Sequence, residues 1–118
     1  MRILVTGSRE WTDEELLHVT LDEVTAGHEK VTIVHGGCYR GADVMTSAYA
    51  TQRGWTDETH EAEWNAGRPA GPIRNKEMVA LGADVCVAFF KMTAANKGTT
   101  GCCNFAKKAG IPVVRVEG

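Results

Sequence analysis

The chain has 118 residues and a formal net charge of −2, with 43% hydrophobic and 24% charged residues. This length fits a single domain, residues 1–118, and is too short for a second core. No apolar run approaches the length of a membrane span. The mildly acidic balance argues against nucleic acid as the main partner, because duplex binding usually requires a basic face.

Cysteine usage bears on metal binding and on the redox compartment. The cysteines form no C-x-x-C pair and have no His at zinc-finger spacing, so no metal site is predicted. Reduced thiols in a cytoplasmic protein are expected, and the chain start predicts a strand, not a signal peptide. The four cysteines are Cys38, Cys86, Cys102 and Cys103.

The first predicted elements are a strand and a helix. Arg2–Thr6 is an apolar run typical of a buried strand. Thr12 and Glu15 then fit a capping box, which predicts a helix that starts at Asp13. Gly27 is the predicted C-terminal stop of that helix.

The rest of the chain continues to alternate apolar strands with amphipathic helices bounded by Gly and Pro. The predicted elements are a strand at Val31–Val34, a helix from Ala42 to about Arg53, an edge strand at Trp55–Glu61, a loop at Glu63–Gly71, a helix from Pro72 to Gly82, a strand at Asp84–Phe90, a helix from Gly98 through Lys108 and a strand at Pro112–Val116. This alternation predicts an α/β fold with a mainly parallel five-stranded sheet.

The segment from Val31 to Asp43 is the first candidate ligand site. A β-branched strand stops at Gly36 and Gly37, and a helical pattern begins at Ala42. Backbone N–H groups and the dipole at a helix N-terminus favour an anion there. The guanidinium of Arg40 would add donors suited to phosphate or carboxylate. A tight turn without a ligand is the alternative interpretation.

Two known phosphate-binding sequences do not fit this loop. In the P-loop frame G-x-x-x-x-G-K-[ST], Ala42 and Asp43 stand where the Lys and the hydroxyl residue are needed. In the dinucleotide frame G-x-G-x-x-G, Cys38 occupies the position of the second Gly. The loop therefore predicts phosphate binding without the machinery of an ATPase.

Cationic side chains follow several predicted strands. Ligands of parallel sheets bind outside the carboxyl ends of the strands. Because acidic residues concentrate elsewhere in the chain, this arrangement predicts a small anionic ligand. The cations in these loops are Arg9, Arg40, Arg68, Arg74, Lys91 and Lys97.

Several polar and aromatic residues keep two interpretations. Asp43 could bind a ribose hydroxyl or cap its helix, and Glu10 could be a general base or a solvated loop charge. His35 could act in acid–base chemistry or hold a loop carbonyl. Trp11 and Trp64 could stack on a base or provide apolar cover beside the pocket.

The order of several short motifs is more specific than any of them alone. The motifs are Gly7-Ser8-Arg9 with Trp11 and Asp13, His35-Gly36-Gly37, Arg40-Gly41-Ala42-Asp43, Ala70-Gly71-Pro72-Ile73-Arg74-Asn75 and Gly98-Thr99-Thr100. Over nearly the whole chain this combination resembles the YspA, cpYpsA-related branch of the SLOG superfamily, small Rossmann-like proteins of actinobacteria and their phages. The resemblance implies a Rossmann-like three-layer sandwich and a nucleotide or ADP-ribose-like ligand.

Relatives of that branch include the LOG-type nucleotide phosphoribohydrolases and the DNA-processing protein DprA. LOG enzymes carry P-G-G-x-G-T-x-x-E, in which Gly-Thr holds phosphate and Glu helps to cleave the N-glycosidic bond. Gly98 and Thr99 match that Gly-Thr, and Arg74 resembles the LOG arginine before the helix, but Cys102 stands at the Glu position. The resemblance therefore implies phosphate binding and leaves hydrolysis without its catalytic carboxylate.

Together these arguments predict a protein that senses or sequesters a nucleotide-derived, phosphate-bearing molecule such as an ADP-ribose-like or NAD-derived compound. LOG-type hydrolysis, with Glu10, Asp43 or His35 as catalytic residue, and DprA-like single-stranded DNA binding are the alternatives. A homo-oligomer is expected, with no cofactor, metal or membrane partner. The expected ligand-binding residues are Gly7, Ser8, Arg9, Gly36, Gly37, Arg40, Asp43, Arg74, Asn75, Gly98, Thr99 and Thr100.

Overall fold

The computed structural model describes residues 1–118, apart from the side chain of Ala66. Its strands are β1 (Arg2–Gly7), β2 (Thr32–His35), β3 (Thr56–Thr59), β4 (Val85–Phe90) and β5 (Val113–Glu117). They form one sheet in the order β3-β2-β1-β4-β5, and every neighbouring pair is parallel. The predicted α/β fold with a five-stranded sheet is therefore confirmed.

Helices cover both faces of this sheet. They are α1 (Glu14–Thr25), α2 (Ala42–Arg53), α3 (Ala70–Ala80) and α4 (Lys97–Lys108), and a 3-10 turn spans Trp64–Ala66. The first two helices pack together on one face, and α3 and α4 pack together on the other. This is the three-layer Rossmann-like sandwich that the resemblance implies. None of the described helices is long and apolar enough to span a membrane.

The side chains of β1 alternate between two apolar cores. Ile3 and Val5 lie in the core that also contains Leu17 of α1, whereas Leu4 lies with Met78 of α3 in the opposite core. Successive side chains of a strand point to opposite faces, which produces this alternation. Because helices cover both faces, all six residues of β4 are buried.

The edge strand β3 carries polar side chains, as its sequence predicts. Glu58 accepts two hydrogen bonds from the Arg2 guanidinium at 3.1 and 3.2 Å, and His60 Nε2 lies 2.7 Å from it. Hydrogen bonds from Arg2, which has the largest effect, and from His60 lower the pKa of the Glu58 carboxyl to about 2. A partly exposed polar network of Arg2, Glu58 and His60 therefore lies at this edge of the sheet.

Three helix starts differ from the sequence-based prediction, and the smallest difference is that α4 begins at Lys97, one residue before Gly98. α1 begins at Glu14 because Asp13 is its N-cap, with its carboxylate accepting the Leu16 N–H at 3.0 Å. The predicted capping box with Thr12 is therefore wrong. α3 begins at Ala70, two residues before Pro72. A first-turn N–H has no partner within the helix, so a proline is tolerated there.

Candidate functional site

A cavity of about 940 Å³ opens at the carboxyl ends of the strands. The chain passes from β1 to α1 on one face and from β4 to α4 on the other, although β1 and β4 are neighbours. Such a divergence leaves a crevice in open α/β sheets, and ligands bind there. The cavity is lined by residues 5–10, 36–39, 43, 61, 62, 64, 68, 71, 72, 74, 75, 78, 94 and 96–99.

The loop after β2 depends on two glycines for different reasons. Gly37 has a φ of +72°, a left-handed conformation that side chains rarely adopt. Gly36 has no such φ, but a Cβ there would lie 2.5 Å from Arg74 Cζ and closer still to Nη1. The absence of side chains therefore lets this loop turn and lets the guanidinium approach its backbone.

His35 hydrogen-bonds to this loop but does not line the cavity. Its Nδ1 accepts the Gly37 N–H at 3.0 Å, which assigns the ring proton to Nε2, 2.5 Å from Asp57 Oδ1. The imidazole is only 3% exposed. Both ring nitrogens are engaged within the protein, so His35 positions the loop and is poorly suited to proton transfer with a ligand.

Asp43 is a carboxylate buried in the cavity wall. It is the second residue of α2, and its Oδ2 accepts the Cys38 N–H at 3.2 Å. Burial raises the pKa of the Asp43 carboxyl, and the Cys38 N–H and the nearby His35 and Arg74 oppose this rise. This carboxyl group can stabilise the loop, accept a hydrogen bond from a ribose hydroxyl or exchange a proton with a ligand.

Arg74 connects three segments of the cavity wall. Its Nη1 donates to the carbonyls of Gly36 at 2.7 Å and His60 at 3.1 Å, and its Nε donates to Asn75 Oδ1 at 2.8 Å. Asn75 Nδ2 in turn donates to the Gly98 carbonyl at 3.4 Å. Within the described part of the chain Nη2 makes no hydrogen bond, so it is the donor left for an anion.

The start of α4 opens onto the cavity without a side-chain cap. Asn96, whose φ is +55°, uses its amide to bond the carbonyls of Lys91 and Ala94 at 2.7 and 2.9 Å. Thr99 is only 3% exposed and lines the cavity. No hydrogen bond of its hydroxyl is found among the described residues. The first-turn N–H groups and this hydroxyl are therefore available to a ligand.

The loop after β1 forms the neighbouring wall. Gly7, Ser8 and Arg9 all line the cavity. The Ser8 hydroxyl accepts the Glu10 N–H at 3.0 Å, and the Ser8 N–H donates to the Phe89 carbonyl at 3.0 Å. Ser8 therefore closes the turn and also lines the cavity.

Two expected ligand residues lie outside this cavity. Arg40 is exposed and its Nη2 pairs with Glu10 at 2.9 Å. Thr100 lines a second cavity, of about 130 Å³, beside Cys103. It follows Thr99 by one residue and is thus turned about 100° around the helix. The structure brings together Gly7, Ser8, Arg9, Gly36, Gly37, Asp43, Arg74, Asn75, Gly98 and Thr99.

Cys102 lies in the core and does not line the cavity. It packs among Leu4, Met78 and Cys86, and it is fully buried. All four cysteines are free thiols. Among the described residues, no three His, Cys, Asp or Glu side chains are grouped so that they could hold a metal ion.

Sequence reasoning did not single out Glu61, Met78 and Asn96, which also line the cavity. Glu61 and Asn96 follow β3 and β4, and this position after a strand was the available signal. Met78 belongs to the apolar face of α3, where nothing in the sequence distinguishes a cavity residue from a core residue. The structure also separates the two tryptophans, because Trp11 is 1% exposed and Trp64 is 55% exposed.

Comparison with known proteins bears on the family to which this chain belongs. Residues 1–67, more than half of the chain, match a family model described as YAcAr: YspA, cpYpsA-related SLOG family. The chain is also 43% identical over 120 residues to Gene 61 protein of Mycobacterium phage D29, covering 96% of this chain and 94% of that protein. A phage relative fits the expected distribution among actinobacteria and their phages. The chain therefore belongs to the YspA, cpYpsA-related SLOG family.

Proposed function

We propose that this protein binds a nucleotide-derived, phosphate-bearing molecule, such as an ADP-ribose-like or NAD-derived compound, and senses or sequesters it. One observation carries the proposal. Asp13 caps α1, and at the starts of α2 and α3 the Ala42 and Ala70 N–H groups donate to the carbonyls of Ser8 and Gly67, both at 3.1 Å. At the start of α4, which lines the cavity without a side-chain cap, the first-turn N–H groups have no partner in the described chain. Free N–H groups and the positive end of the helix dipole favour phosphate at such starts.

Side chains around the start of α4 support the same ligand chemistry. The Thr99 hydroxyl is buried against the cavity, and Arg74 Nη2 has no partner within the described chain. Each charge-assisted hydrogen bond to phosphate typically contributes about 1.5–3 kcal/mol. The cations that line the cavity are Arg9, Arg68, Arg74 and Lys97.

The size of the cavity supports a ligand larger than inorganic phosphate. Its volume of about 940 Å³ lies at the upper end of the usual range for small-molecule sites. Asp43 and Glu61 line the wall away from α4 and can accept hydrogen bonds from sugar hydroxyls. A phosphate joined to a ribose suits both parts of this wall.

Binding without turnover is supported by the surroundings of the potential catalytic groups. Cys102, at the position of the LOG glutamate, is a buried thiol. His35 has both ring nitrogens occupied, and Glu10 is paired with Arg40. Cys102 therefore lacks a carboxylate and His35 has no free ring nitrogen, whereas Glu10 lines the cavity and keeps its carboxylate in an exposed pair with Arg40.

Calorimetry with two threonine variants tests the proposal. The titrants are ADP-ribose, AMP and ribose 5-phosphate, with adenosine as the ligand that lacks phosphate. Thr99→Val removes the hydroxyl while keeping the shape, and we expect roughly 10- to 100-fold weaker binding of the phosphate compounds. Thr46→Val is the matched control. Its hydroxyl is buried without a partner among the described residues and lies outside the cavity.

Two outcomes would contradict the proposal. Adenosine could bind as tightly as AMP, which would show that phosphate is not recognised. Alternatively, Thr99→Val could leave every affinity unchanged while the fold stays intact, which would remove the start of α4 from the site.

LOG-type hydrolysis of an N-glycosidic bond is the second candidate, and Asp43 is the observation that favours it. A buried carboxyl with a raised pKa in a cavity wall can serve as a general acid or base. Chromatography of AMP and ADP-ribose after incubation with the protein detects free base or sugar phosphate. Turnover that Asp43→Asn abolishes would favour the hydrolase over the binding module.

Two partner expectations remain predictions. Homo-oligomer formation is tested by light scattering on the eluting protein. DprA-like binding of single-stranded DNA is not expected at a net charge of −2, and a fluorescent oligonucleotide titration at moderate salt tests it.

A further inference from the structure

An exposed tryptophan stands at the rim of the cavity. Trp64 is 55% exposed although it lines the cavity, and it opens the 3-10 turn after β3. Leaving a large aromatic side chain in water forgoes the free energy that its burial would contribute. The same chain buries Trp11 almost completely against Phe89, at 5.2 Å between ring centroids.

One edge of the Trp64 ring lies against the start of α3, while more than half of the residue stays exposed. A Cβ at Gly71 would lie 3.2 Å from Trp64 Cη2, so the glycine at the start of α3 allows the indole edge to rest on the helix. The backbone of the turn is closed by hydrogen bonds from Trp64 N–H to the Ala62 carbonyl and from Gly67 N–H to the Trp64 carbonyl, both 3.0 Å. The ring is therefore presented on a fixed turn.

The Arg9 guanidinium lies near this ring but is not in direct stacking contact with it. Its Cζ lies 5.9 Å from the Trp64 ring centroid, near the outer limit of a cation–π interaction. In the same molecule Arg115 Cζ lies 3.9 Å from the Phe90 centroid, which is direct stacking. Arg9 is exposed, and it forms no ion pair among the described residues. Both flat groups therefore line the cavity, and both are exposed.

We propose that Trp64 and Arg9 form the subsite for the heterocyclic base of the ligand, with the phosphate at the start of α4. This inference rests on the proposed function and adds the orientation of the ligand and its selectivity. Bases stack on aromatic rings and on guanidinium planes. Every base has a flat aromatic face, so a subsite that binds by stacking accepts purines and pyrimidines alike. Selection of the ligand then depends on its phosphate group.

The test compares AMP with ribose 5-phosphate by calorimetry on the wild type, Trp64→Phe and Trp64→Leu. Stacking on one aromatic ring should make AMP bind roughly 5- to 100-fold more tightly than ribose 5-phosphate. We expect this advantage to persist in Trp64→Phe, which keeps a ring. It should disappear in Trp64→Leu, which keeps apolar cover without a flat face. Ribose 5-phosphate should bind all three proteins equally.

A second measurement on the wild type does not depend on the variants folding. AMP should quench part of the tryptophan emission, because an exposed indole is stacked, whereas ribose 5-phosphate should not. GMP, CMP and UMP should bind within about tenfold of AMP if the base is read by stacking alone.

Each outcome decides the inference. Equal affinity of AMP and ribose 5-phosphate for the wild type, or an unchanged AMP advantage in Trp64→Leu, would overturn it while leaving phosphate binding intact. Strong preference for one base would also overturn it, because that requires hydrogen bonds to a base edge. If none of the phosphate compounds binds, the proposed function fails first and the inference fails with it.

Discussion

Gly36→Ala tests whether Arg74 is fixed against the loop after β2. The added Cβ would lie 2.5 Å from Arg74 Cζ, so the guanidinium must move, although the backbone of Gly36 is compatible with alanine. Moving it breaks the Nη1 bonds to the Gly36 and His60 carbonyls. Hydrogen bonds from charged groups contribute about 1.5–3 kcal/mol each. Because the half-buried head can regain water, we expect a net loss of about 1.5–3 kcal/mol.

Urea denaturation followed by circular dichroism measures this loss as a lower midpoint at constant slope. Arg74→Ala supplies the second side of a double-mutant cycle. In the Arg74→Ala background the clash is gone, so adding Gly36→Ala should cost almost nothing and could even add a few tenths of a kcal/mol. Both single variants should also bind phosphate compounds more weakly, because Arg74 then no longer holds the cavity wall.

Equal destabilisation by Gly36→Ala in both backgrounds would refute this reasoning. It would show that the cost arises from the loop backbone and that Arg74 is free to move. A Gly36→Ala protein as stable as the wild type would refute it as well, since the guanidinium would then have an equally good alternative position.

Three further predictions concern stability. Gly101→Ala should stabilise the protein by about 0.5–1 kcal/mol, since nothing lies within 4 Å of the added Cβ; a lower urea midpoint would contradict this. Glu58 has a folded pKa of about 2, below the ordinary value of 4.5, so its stabilisation is complete above about pH 4.5 and is lost as pH falls towards 2. Glu58→Gln should therefore cost at most about 1 kcal/mol at neutral pH, since the pair with Arg2 is exposed and screened, and nothing near pH 2; a pH-independent cost would exclude the ion pair as its cause. Trp11→Ala should cost about 3–5 kcal/mol in a thermal or urea melt, and a wild-type melt would remove Trp11 from the core.

The sequence was sufficient to predict the parallel sheet and the edge of the sheet at which the cavity lies. β-branched and apolar runs alternated with amphipathic stretches, and this pattern has few solutions other than a parallel α/β sheet. The polar run that became β3 was placed at the sheet edge for the same reason, because an interior strand of a covered sheet must be apolar. Loops containing Gly36 and Gly98 followed two such runs, and both contribute to the cavity.

Side-chain direction in the loops was beyond sequence reasoning. Arg40 and Arg74 both follow strands in the sequence, yet only Arg74 lines the cavity. Arg40 is exposed and pairs with Glu10, whereas three acceptors hold Arg74 at the cavity wall. These partners come from distant segments, so neither position in the chain nor residue type could distinguish the two arginines.

The start of α1 shows a similar limit at shorter range. Thr12 and Asp13 are both good N-cap residues, and the Glu15 spacing favoured Thr12. The indole Nε1 of the buried Trp11 donates to the Asp13 carbonyl at 2.9 Å and helps to fix Asp13 where its carboxylate caps the helix. Packing of one aromatic side chain therefore decided between two residues of similar local preference.

The hydrogen bonds from Gly98 through Asn75 and Arg74 to Gly36 have a consequence for how a ligand enters. They join the loops after β2 and β4, two strands that are separated by β1 in the sheet. The cavity wall is thus preorganised across three strand ends before any ligand arrives. A ligand then loses little affinity to the ordering of loops, and its association should be limited by encounter and not by loop closure.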